Sequence, residues 1–328
     1  MEDPPFISTQ KPPSTYSTNE TALLTWCFLV LVLGLTGNIY VLYSTISHRA
    51  IKLDKMSVWI VQNLAVADIA NCVLVVIPIT VTVMNGMEWK LGRGFCVAIA
   101  HYNLVFLLAN GFLLNALSLN KLLKCLFPFR MLDSTQKQRN IVTLFVVIFS
   151  IIPVIWTIYG ASKGFFVESK NFEHLTGICN IADNNEIEIP HMITIISYIV
   201  YALFNFGPCV SLITANTALV IVAVKKSNTT VNKANIMIVA LTTAMFLVAG
   251  LPRFITYIVG YCCMYPGRLF DELAWYILFS ISWVNPFIYL ATNKHFRDFT
   301  LGKLRIISSS FRSVKSFTNV SIISGHRS

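Results

Sequence analysis

The sequence predicts an all-α membrane protein with a seven-transmembrane helix bundle. Two observations support this fold class. Hydrophobic residues make up 55% of the 328 residues and charged residues only 12%, about half the charged share of an average soluble domain. Seven mostly apolar runs also approach or exceed the roughly 20 residues that a helix needs to cross a bilayer. A water-soluble enzyme is therefore excluded.

The seven predicted spans follow one another along the chain and are joined mainly by short polar links. They are Leu23–Ser47, Ser57–Val83, Phe95–Phe127, Val142–Gly160, Ile193–Val224, Ala234–Cys262 and Leu269–Leu290. The third run contains polar residues but no strong break, so we predict one long helix there. The predicted regions are a tail over 1–21, a transmembrane domain over 22–293, and a serine-rich segment over 294–328. The first 21 residues lack signal-peptide features, so the first span is expected to be an uncleaved anchor.

The distribution of basic residues predicts the orientation of the chain. Of the 25 Lys and Arg residues, 18 lie at the end of span three, on the links after spans one, three and five, and in the C-terminal tail, whereas six lie on the opposite side. Cytoplasmic links carry such an excess, so the N-terminus is predicted to be extracellular and the C-terminal tail cytoplasmic. Attraction to the anionic lipid of the inner leaflet accounts for the net charge of +10 without a nucleic-acid partner.

Three residues on the predicted outer side are candidates for covalent modification. Asn19 begins an Asn-Glu-Thr glycosylation sequence in the N-terminal tail. Cys96 lies at the outer start of span three and Cys179 lies in the next outer loop. Both cysteines face an oxidising compartment, so a disulfide between them is chemically allowed, and two free thiols are the alternative.

Polar residues inside the spans are costly and therefore candidates for function. Asp68 lies near the middle of span two, and Asn38, Asn110, Ser282 and Asn285 lie at depths from which they could meet it. One interpretation is a hydrated cluster, with a sodium ion at Asp68, whose rearrangement couples the two faces of the bundle. The alternative is polar contacts that only join the helices.

A second group of polar residues lies nearer the outer end. Arg253 follows Pro252 in span six, where the proline is expected to bend the helix. Arg253 either faces an outer cavity and attracts an anionic ligand, or extends upward and pairs with an acid near the start of span seven. His101 and Asn103, in the outer part of span three, are candidates to line the same cavity; for His101, packing is the alternative.

Other classes of membrane protein do not match the sequence. The spans lack the converging His, Asp and Glu ligands of a metalloenzyme, so we expect no enzymatic activity and no cofactor. They also lack the repeated halves of a transporter and the filter or charged ring of a channel. A protein that binds a ligand outside and docks a partner inside remains.

Short motifs then occur in a specific order along the spans. They are Gly37 to Val41 (G-N-I-Y-V), Asn63 to Asp68 (N-L-A-V-A-D), Trp89 with Cys96, Pro208, Asn285 to Tyr289 (N-P-F-I-Y) and Phe296 to Phe299 (F-R-D-F). Together they resemble the rhodopsin-like family of G-protein-coupled receptors over about residues 22–305. The resemblance implies a multi-pass plasma-membrane receptor with a bridge from Cys96 to Cys179. It also implies a short amphipathic helix after the seventh span, at the start of the cytoplasmic segment 294–328.

The resemblance also assigns roles to the residues singled out above. It implies an outer ligand cavity near His101, Asn103, Arg253 and Phe279. It implies an activation relay and an inner face beside Lys121 where a G protein docks. The relay residues are Asn38, Asp68, Pro252, Asn285, Pro286 and Tyr289, and the G-protein face is Asn120, Lys121 and Leu122. Arrestin and a receptor kinase are further partners that the serine-rich tail would attract.

Departures from the family pattern keep the function open. The family's D-R-Y is Asn120-Lys121-Leu122 here, and its C-W-x-P is Ala249-Gly250-Leu251-Pro252. Lysine is a point charge without the arginine fork, Asn120 supplies no anion, and no acid lies at the start of span six. The resting-state ionic restraint is therefore expected to be absent. The function is either G-protein signalling or, alternatively, ligand capture or modulation of another receptor without signalling.

The same comparison narrows the ligand class. Aminergic receptors have an aspartate where this chain has Asn103, and opsins have a lysine where it has Phe279. A monoamine and retinal are thus disfavoured. A peptide or another small molecule remains.

Overall fold

The computed structural model describes residues 18–47, 54–86, 89–127, 136–162, 166–168, 181–183, 207, 210–222, 233–261, 268–294, 296–298 and 300–302. The helices are α1 (Thr18–Ser47), α2 (Lys55–Asn71), α3 (Ile77–Met84), α4 (Arg93–Leu126), α5 (Gln136–Ser162), α6 (Val210–Val222), α7 (Lys233–Tyr261), α8 (Arg268–Phe279) and α9 (Ile281–Thr292). The predicted helical bundle is confirmed. Span two comprises α2, a π-helical turn and α3, and span seven comprises α8 and α9.

Span two has a defined start and an internal irregularity. Asp54 caps α2, because its side chain accepts a hydrogen bond from the backbone N–H of Ser57 over 3.0 Å. After α2 the chain makes a π-helical turn over Cys72–Val76, and Pro78 then lies in the first turn of α3. A π-turn holds an extra residue per turn, so it changes the faces that α3 presents relative to α2.

Span seven is interrupted at one residue. Ser280 separates α8 from α9, and its backbone N–H bonds to the carbonyls of Tyr276 and Ile277, both over 3.2 Å. Pro286 lies inside α9, and Pro252 likewise lies inside α7, which continues through it. Further helical residues at 296–298 and 300–302 coincide with the predicted amphipathic helix.

The structure differs from the predicted elements at two places, both on the side of the bundle that the sequence predicts to be extracellular. Helix α1 begins at Thr18, within the predicted tail over 1–21, so Asn19 lies in its first turn. The link between spans four and five contains a short antiparallel hairpin, Phe166–Glu168 with Ile181–Asp183, in which Val167 is paired with Ala182.

Helix α1 approaches its neighbours closely because two glycines face them. A Cβ atom added at Gly37 would lie 2.9 Å from both Cβ and Cγ of Pro286. One added at Gly34 would lie 2.8 Å from the sulfur of Cys72. The absence of side chains at these positions lets span one pack directly on spans two and seven.

Exposed apolar side chains are consistent with a lipid environment. Leu144, Ile148, Ile151 and Ile155 recur at helical spacing on one side of α5, and all are exposed. Within the described ranges, three helices are long and apolar enough to span a membrane: Thr21–Ser47, Lys55–Met84 and Val105–Leu126. Val210–Val222 and Met237–Pro252 are shorter apolar helices.

Candidate functional site

A buried polar cluster joins spans one, two and seven. Asp68 is fully buried, and the side-chain amide of Asn285 donates to its Oδ2 over 3.1 Å. The amide of Asn71 donates to Ser282 Oγ over 3.0 Å, and that of Asn38 donates to the Ser282 carbonyl over 2.6 Å. The structure thus brings Asp68 together with Asn285, and Asn38 together with Ser282, within one cluster.

For two residues of this region, the structure differs from what the sequence predicts. Asn71 was missed, although it lies three residues after Asp68 and hence on the same helical face. Asn110 was predicted to join the cluster and is buried, but its amide donates over 3.1 Å to the Phe106 carbonyl of its own helix. No described hydrogen bond connects Asn110 with Asp68.

The cluster contains oxygen atoms that could accept a cation or water. In the described part of the chain, Oδ1 of Asn38, Asp68 and Asn71 has no hydrogen-bond donor. Buried carboxylate and amide oxygens are the ligands that hard cations prefer, and ordered water satisfies the same atoms. The donor set therefore fits a sodium ion at Asp68. No group of three or more His, Cys, Asp or Glu residues forms a metal site within the described residues.

An aromatic contact continues from this cluster along span seven. Tyr289 and Phe296 are both buried, and their rings stack with centroids 6.2 Å apart at 27°. Both rings belong to one apolar cluster with Val61 of α2 and Ile238 of α7. The end of α9 is therefore packed against spans two and six.

A second polar junction joins spans three, five and six. The amide of Asn216 in α6 donates to Ser118 Oγ of α4 over 3.1 Å and to Thr243 Oγ1 of α7 over 2.9 Å. Ser211 of α6 also hydrogen-bonds Asn115 of α4. The sequence predicted no role for Asn216, because its two partners lie 98 and 27 residues away along the chain.

An ion-pair network lies where α2 begins and α4 ends, which we call the basic end. Lys121 Nζ lies 2.6 Å from Asp54 Oδ2, and Lys124 Nζ lies 3.0 Å from Asp54 Oδ1. The amide of Asn120 donates to Asp54 Oδ1 over 3.1 Å and to Ser57 Oγ over 3.3 Å, and the Ser57 hydroxyl donates to Asp54 Oδ2 over 2.8 Å. Asp54 thus anchors the start of span two to the end of span three.

A match to a protein-family model over most of the chain identifies the family. The model of the family described as "7 transmembrane receptor (rhodopsin family)" matches residues 37–289. The chain belongs to the rhodopsin family of seven-transmembrane receptors. Its members are receptors and not enzymes, and they are multi-pass proteins of the plasma membrane. The predicted family and fold are therefore confirmed for this receptor.

Individual relatives of the receptor are distant. It is 28% identical over 109 residues to "Probable G-protein coupled receptor 174" of Mus musculus, covering 33% of this chain and 31% of that protein. It is 33% identical over 121 residues to human "Leukotriene B4 receptor 2", covering 34% and 33% respectively. The chain thus spans about a third of the length of these curated relatives. "Crystal structure of squid rhodopsin" aligns with a TM-score of 0.66 over 92% of this chain and 88% of that one; the identity is 16%, so this likeness shows the fold.

The basic end of the receptor contains an ion pair that was not predicted. The family's ionic restraint, from an acid at position 120 or at the start of span six, was expected to be absent; in the structure the Lys121 ammonium instead pairs with Asp54, at the start of span two. This pairing was missed because only position 120 and the start of span six were considered as places for an acid. Burial alone would raise the pKa of the Asp54 carboxyl, but the Lys121 ammonium and the hydrogen bonds from Lys121 and Ser57 hold it well below its usual value.

Among the remaining predicted residues, the structure describes the side chains of some and not of others. Leu122 is partly buried and packs against the main hydrophobic core. Phe279 is 1% exposed, and its ring centroid lies 6.2 Å from that of Trp26, so it packs between spans seven and one. The other predicted ligand, disulfide and glycosylation positions lie outside the described side chains; they are Asn19, Cys96, His101, Asn103, Cys179 and Arg253.

Proposed function

We propose that this chain is a G-protein-coupled receptor that transmits the binding of an extracellular ligand to a cytoplasmic G protein. The observation that carries the proposal is the continuity of contacts along α9. Asn285 of this helix hydrogen-bonds Asp68. One turn later, Tyr289 stacks on Phe296, and both rings belong to one apolar cluster with Ile238 of span six. A displacement of α9 at the polar cluster would be transmitted to span six, because both contacts belong to the same continuous helix.

The proposed orientation places the basic end in the cytoplasm. The excess of Lys and Arg on the links at this end supports that assignment. The ligand cavity is proposed at the opposite end, lined by His101, Asn103 and Arg253, with Phe279 supporting its wall from behind. Arg253 favours a ligand with an anionic group, such as a peptide carboxylate or a small acid.

Signalling requires a conformational change at span six. Pro252 leaves the carbonyl one turn earlier without its helical hydrogen bond, so α7 can bend there at low cost. The Asn216 junction with Ser118 and Thr243 holds the lower part of span six against spans three and five. Ligand binding would favour the state in which span six is released and the G protein docks beside Lys121.

A sodium ion bound at Asp68 would stabilise the resting arrangement. Asp68 would supply the charge, and Asn38 and Asn71 supply oxygens that lack a described donor. Thermal unfolding of the purified receptor in NaCl and in KCl tests this. We expect sodium-specific stabilisation that Asp68→Asn abolishes and Asp298→Asn, an exposed acid elsewhere, retains. Equal stabilisation by both salts in the wild type would rule out a sodium site.

The signalling proposal is tested in cells with epitope tags at both termini. Tag accessibility before and after permeabilisation gives the orientation, and reporters for each G-protein class give the activity during a screen of peptides and small acids. We expect an extracellular N-terminus and activation that Arg253→Gln weakens. Two tags on the same side would contradict a seven-span receptor.

A second candidate function is ligand capture or modulation of another receptor without signalling. It is favoured by the pairing of Lys121 with Asp54, because this pairing removes the free cation from the face where a G protein would dock. Saturable binding with no activation in any G-protein class would favour this alternative. Cys96→Ser should abolish surface ligand binding in either case, and normal binding would exclude the proposed bridge to Cys179.

A further inference from the structure

One carboxylate at the basic end is shared by two ammonium groups. Both oxygens of Asp54 are fully used: Oδ1 accepts from Ser57 N–H, Asn120 and Lys124, whereas Oδ2 accepts from the Ser57 hydroxyl and Lys121. The ammonium groups of Lys121 and Lys124, in contrast, are not saturated. Each has three donors, and Asp54 is the one acidic partner that the described residues provide for them.

The network lies at the edge of the bundle, within reach of a docking protein. The exposed fraction is 10% for the Lys121 side chain, 20% for Asp54 and 23% for Lys124. Acids are also rare at this end. Against 18 Lys and Arg, the links and tail that the sequence assigns to this side contain Asp54, Asp133 and Asp298. The charge of the basic end is therefore complementary to an anionic partner.

Asn120 is suited to this arrangement. An acid at position 120 would place a second carboxylate against Asp54, because the Asn120 amide lies 3.1 Å from Asp54 Oδ1. As an amide, Asn120 donates to Asp54 instead of repelling it. Lysine is suited as well, since its point charge and rotatable donors accept a new anion without the fixed geometry of a guanidinium fork.

We propose that Asp54 occupies the binding site of an anionic group of the cytoplasmic partner, and that it masks Lys121 and Lys124 until a carboxylate of that partner replaces it. The partner segment is an acidic peptide. This inference rests on the proposed function for the identity of the partner as a G protein, but the masking itself does not. Exchange of one carboxylate for another is feasible because the incoming carboxylate gives Lys121 and Lys124 the same charge-assisted partner that Asp54 provides, so neither ammonium is left unpaired.

The masking is tested on the purified full-length receptor in nanodiscs of uncharged lipid. The rate at which an N-hydroxysuccinimide ester acetylates Lys121 and Lys124 is measured by mass spectrometry, with hexaglutamate as the acidic probe and hexaglutamine as its neutral control. In Asp54→Asn, hexaglutamate should protect both lysines at about a fivefold lower concentration than in the wild type, the factor for about 1 kcal/mol of lost competition. Hexaglutamine should not protect them.

Three further variants make the result specific. Asp298→Asn removes an equal charge from the same end and should behave as the wild type, and Asp54→Glu should retain most of the masking. If Asp54→Asn does not fold, Lys121→Gln tests the same site, because it should weaken the protection of Lys124 by hexaglutamate. Equal protection of wild type and Asp54→Asn, or unchanged protection of Lys124 in Lys121→Gln, would overturn the proposal.

A cellular measurement separates this inference from the proposed function. Asp54→Asn should raise basal G-protein activation about fivefold, and the double variant with Lys121→Gln should lose that increase. If Asp54 were only a structural tie, Asp54→Asn and Lys121→Gln would lower activity alike, which contradicts masking. Protection by hexaglutamate without activation of any G protein would refute the signalling function while leaving the masking intact.

Discussion

Replacing Asn216 with leucine tests whether the polar junction holds span six in its resting position. Leucine has a similar volume but no donor, so Asn216→Leu removes the interhelical bonds to Ser118 and Thr243, together with a bond over 2.9 Å to the Leu212 carbonyl of its own helix. The Oδ1 atom of Asn216 has no donor among the described residues, so no further bond is lost there. A hydrogen bond between membrane helices contributes about 0.6 kcal/mol, and the two together contribute about 1 kcal/mol, a factor of about five in an equilibrium.

Thermal unfolding of the purified receptor and its basal activity measure the two consequences. We expect the melting temperature to fall by about 2–4 °C, since about 1 kcal/mol has this effect in a protein of this size. Basal G-protein activation should rise up to about fivefold, because the lost contacts restrain span six. Thr214→Val is the matched control in the same helix, since the Thr214 hydroxyl donates over 2.8 Å to the Val210 carbonyl of its own helix. Equal shifts in Asn216→Leu and Thr214→Val would refute the reasoning.

Four other substitutions have outcomes that the same thermal assay can check. Gly37→Ala should destabilise the receptor by about 1–3 kcal/mol, because the new Cβ would lie 2.9 Å from the rigid ring of Pro286. Gly250→Ala should be neutral or stabilising, because the added Cβ would meet no described atom within 4 Å. An equal loss of stability in Gly37→Ala and Gly250→Ala would contradict the close packing at Gly37. Asn120→Asp should cost about 1 kcal/mol at pH 7 by repulsion from Asp54, and the loss should shrink as the pH falls and the new carboxylate is protonated. The pKa of Asp54 is lowered in the folded state, so its contribution is present above the pKa of the unfolded chain and is lost as the pH falls through the folded value. The stability difference between wild type and Asp54→Asn should thus stay constant from pH 8 to about 5 and decrease only in stronger acid; a decrease near pH 6 would contradict the lowered pKa.

The departures at positions 120 and 121 have a different meaning once the contacts are known. From sequence, the loss of both the acid and the arginine indicated that the ionic restraint had disappeared. In the structure the acid is on another span, at Asp54, and Asn120 donates to it. Restoring arginine at 121 together with aspartate at 120 would therefore not recreate the family's arrangement, because Asp54 would still occupy the same space.

Sequence alone determined the helical bundle, the family and most members of the polar cluster. The reason is that a bilayer imposes strong local constraints: each span must be long and apolar, so exceptions such as Asp68 and Asn285 are conspicuous. The positions of the spans followed from composition over about 20 residues, and the family followed from short motifs within them.

Only the tertiary structure decided which polar groups pair with each other. Asp54 with Lys121 and Asn216 with Ser118 are separated by 67 and 98 residues, and each looks ordinary in its own segment. It also decided that Phe279 packs against Trp26 and that Asn71, not Asn110, hydrogen-bonds Ser282. Such contacts depend on the rotation and relative height of neighbouring helices. Side-chain packing between the helices sets both, and the periodicity of a single helix does not encode them.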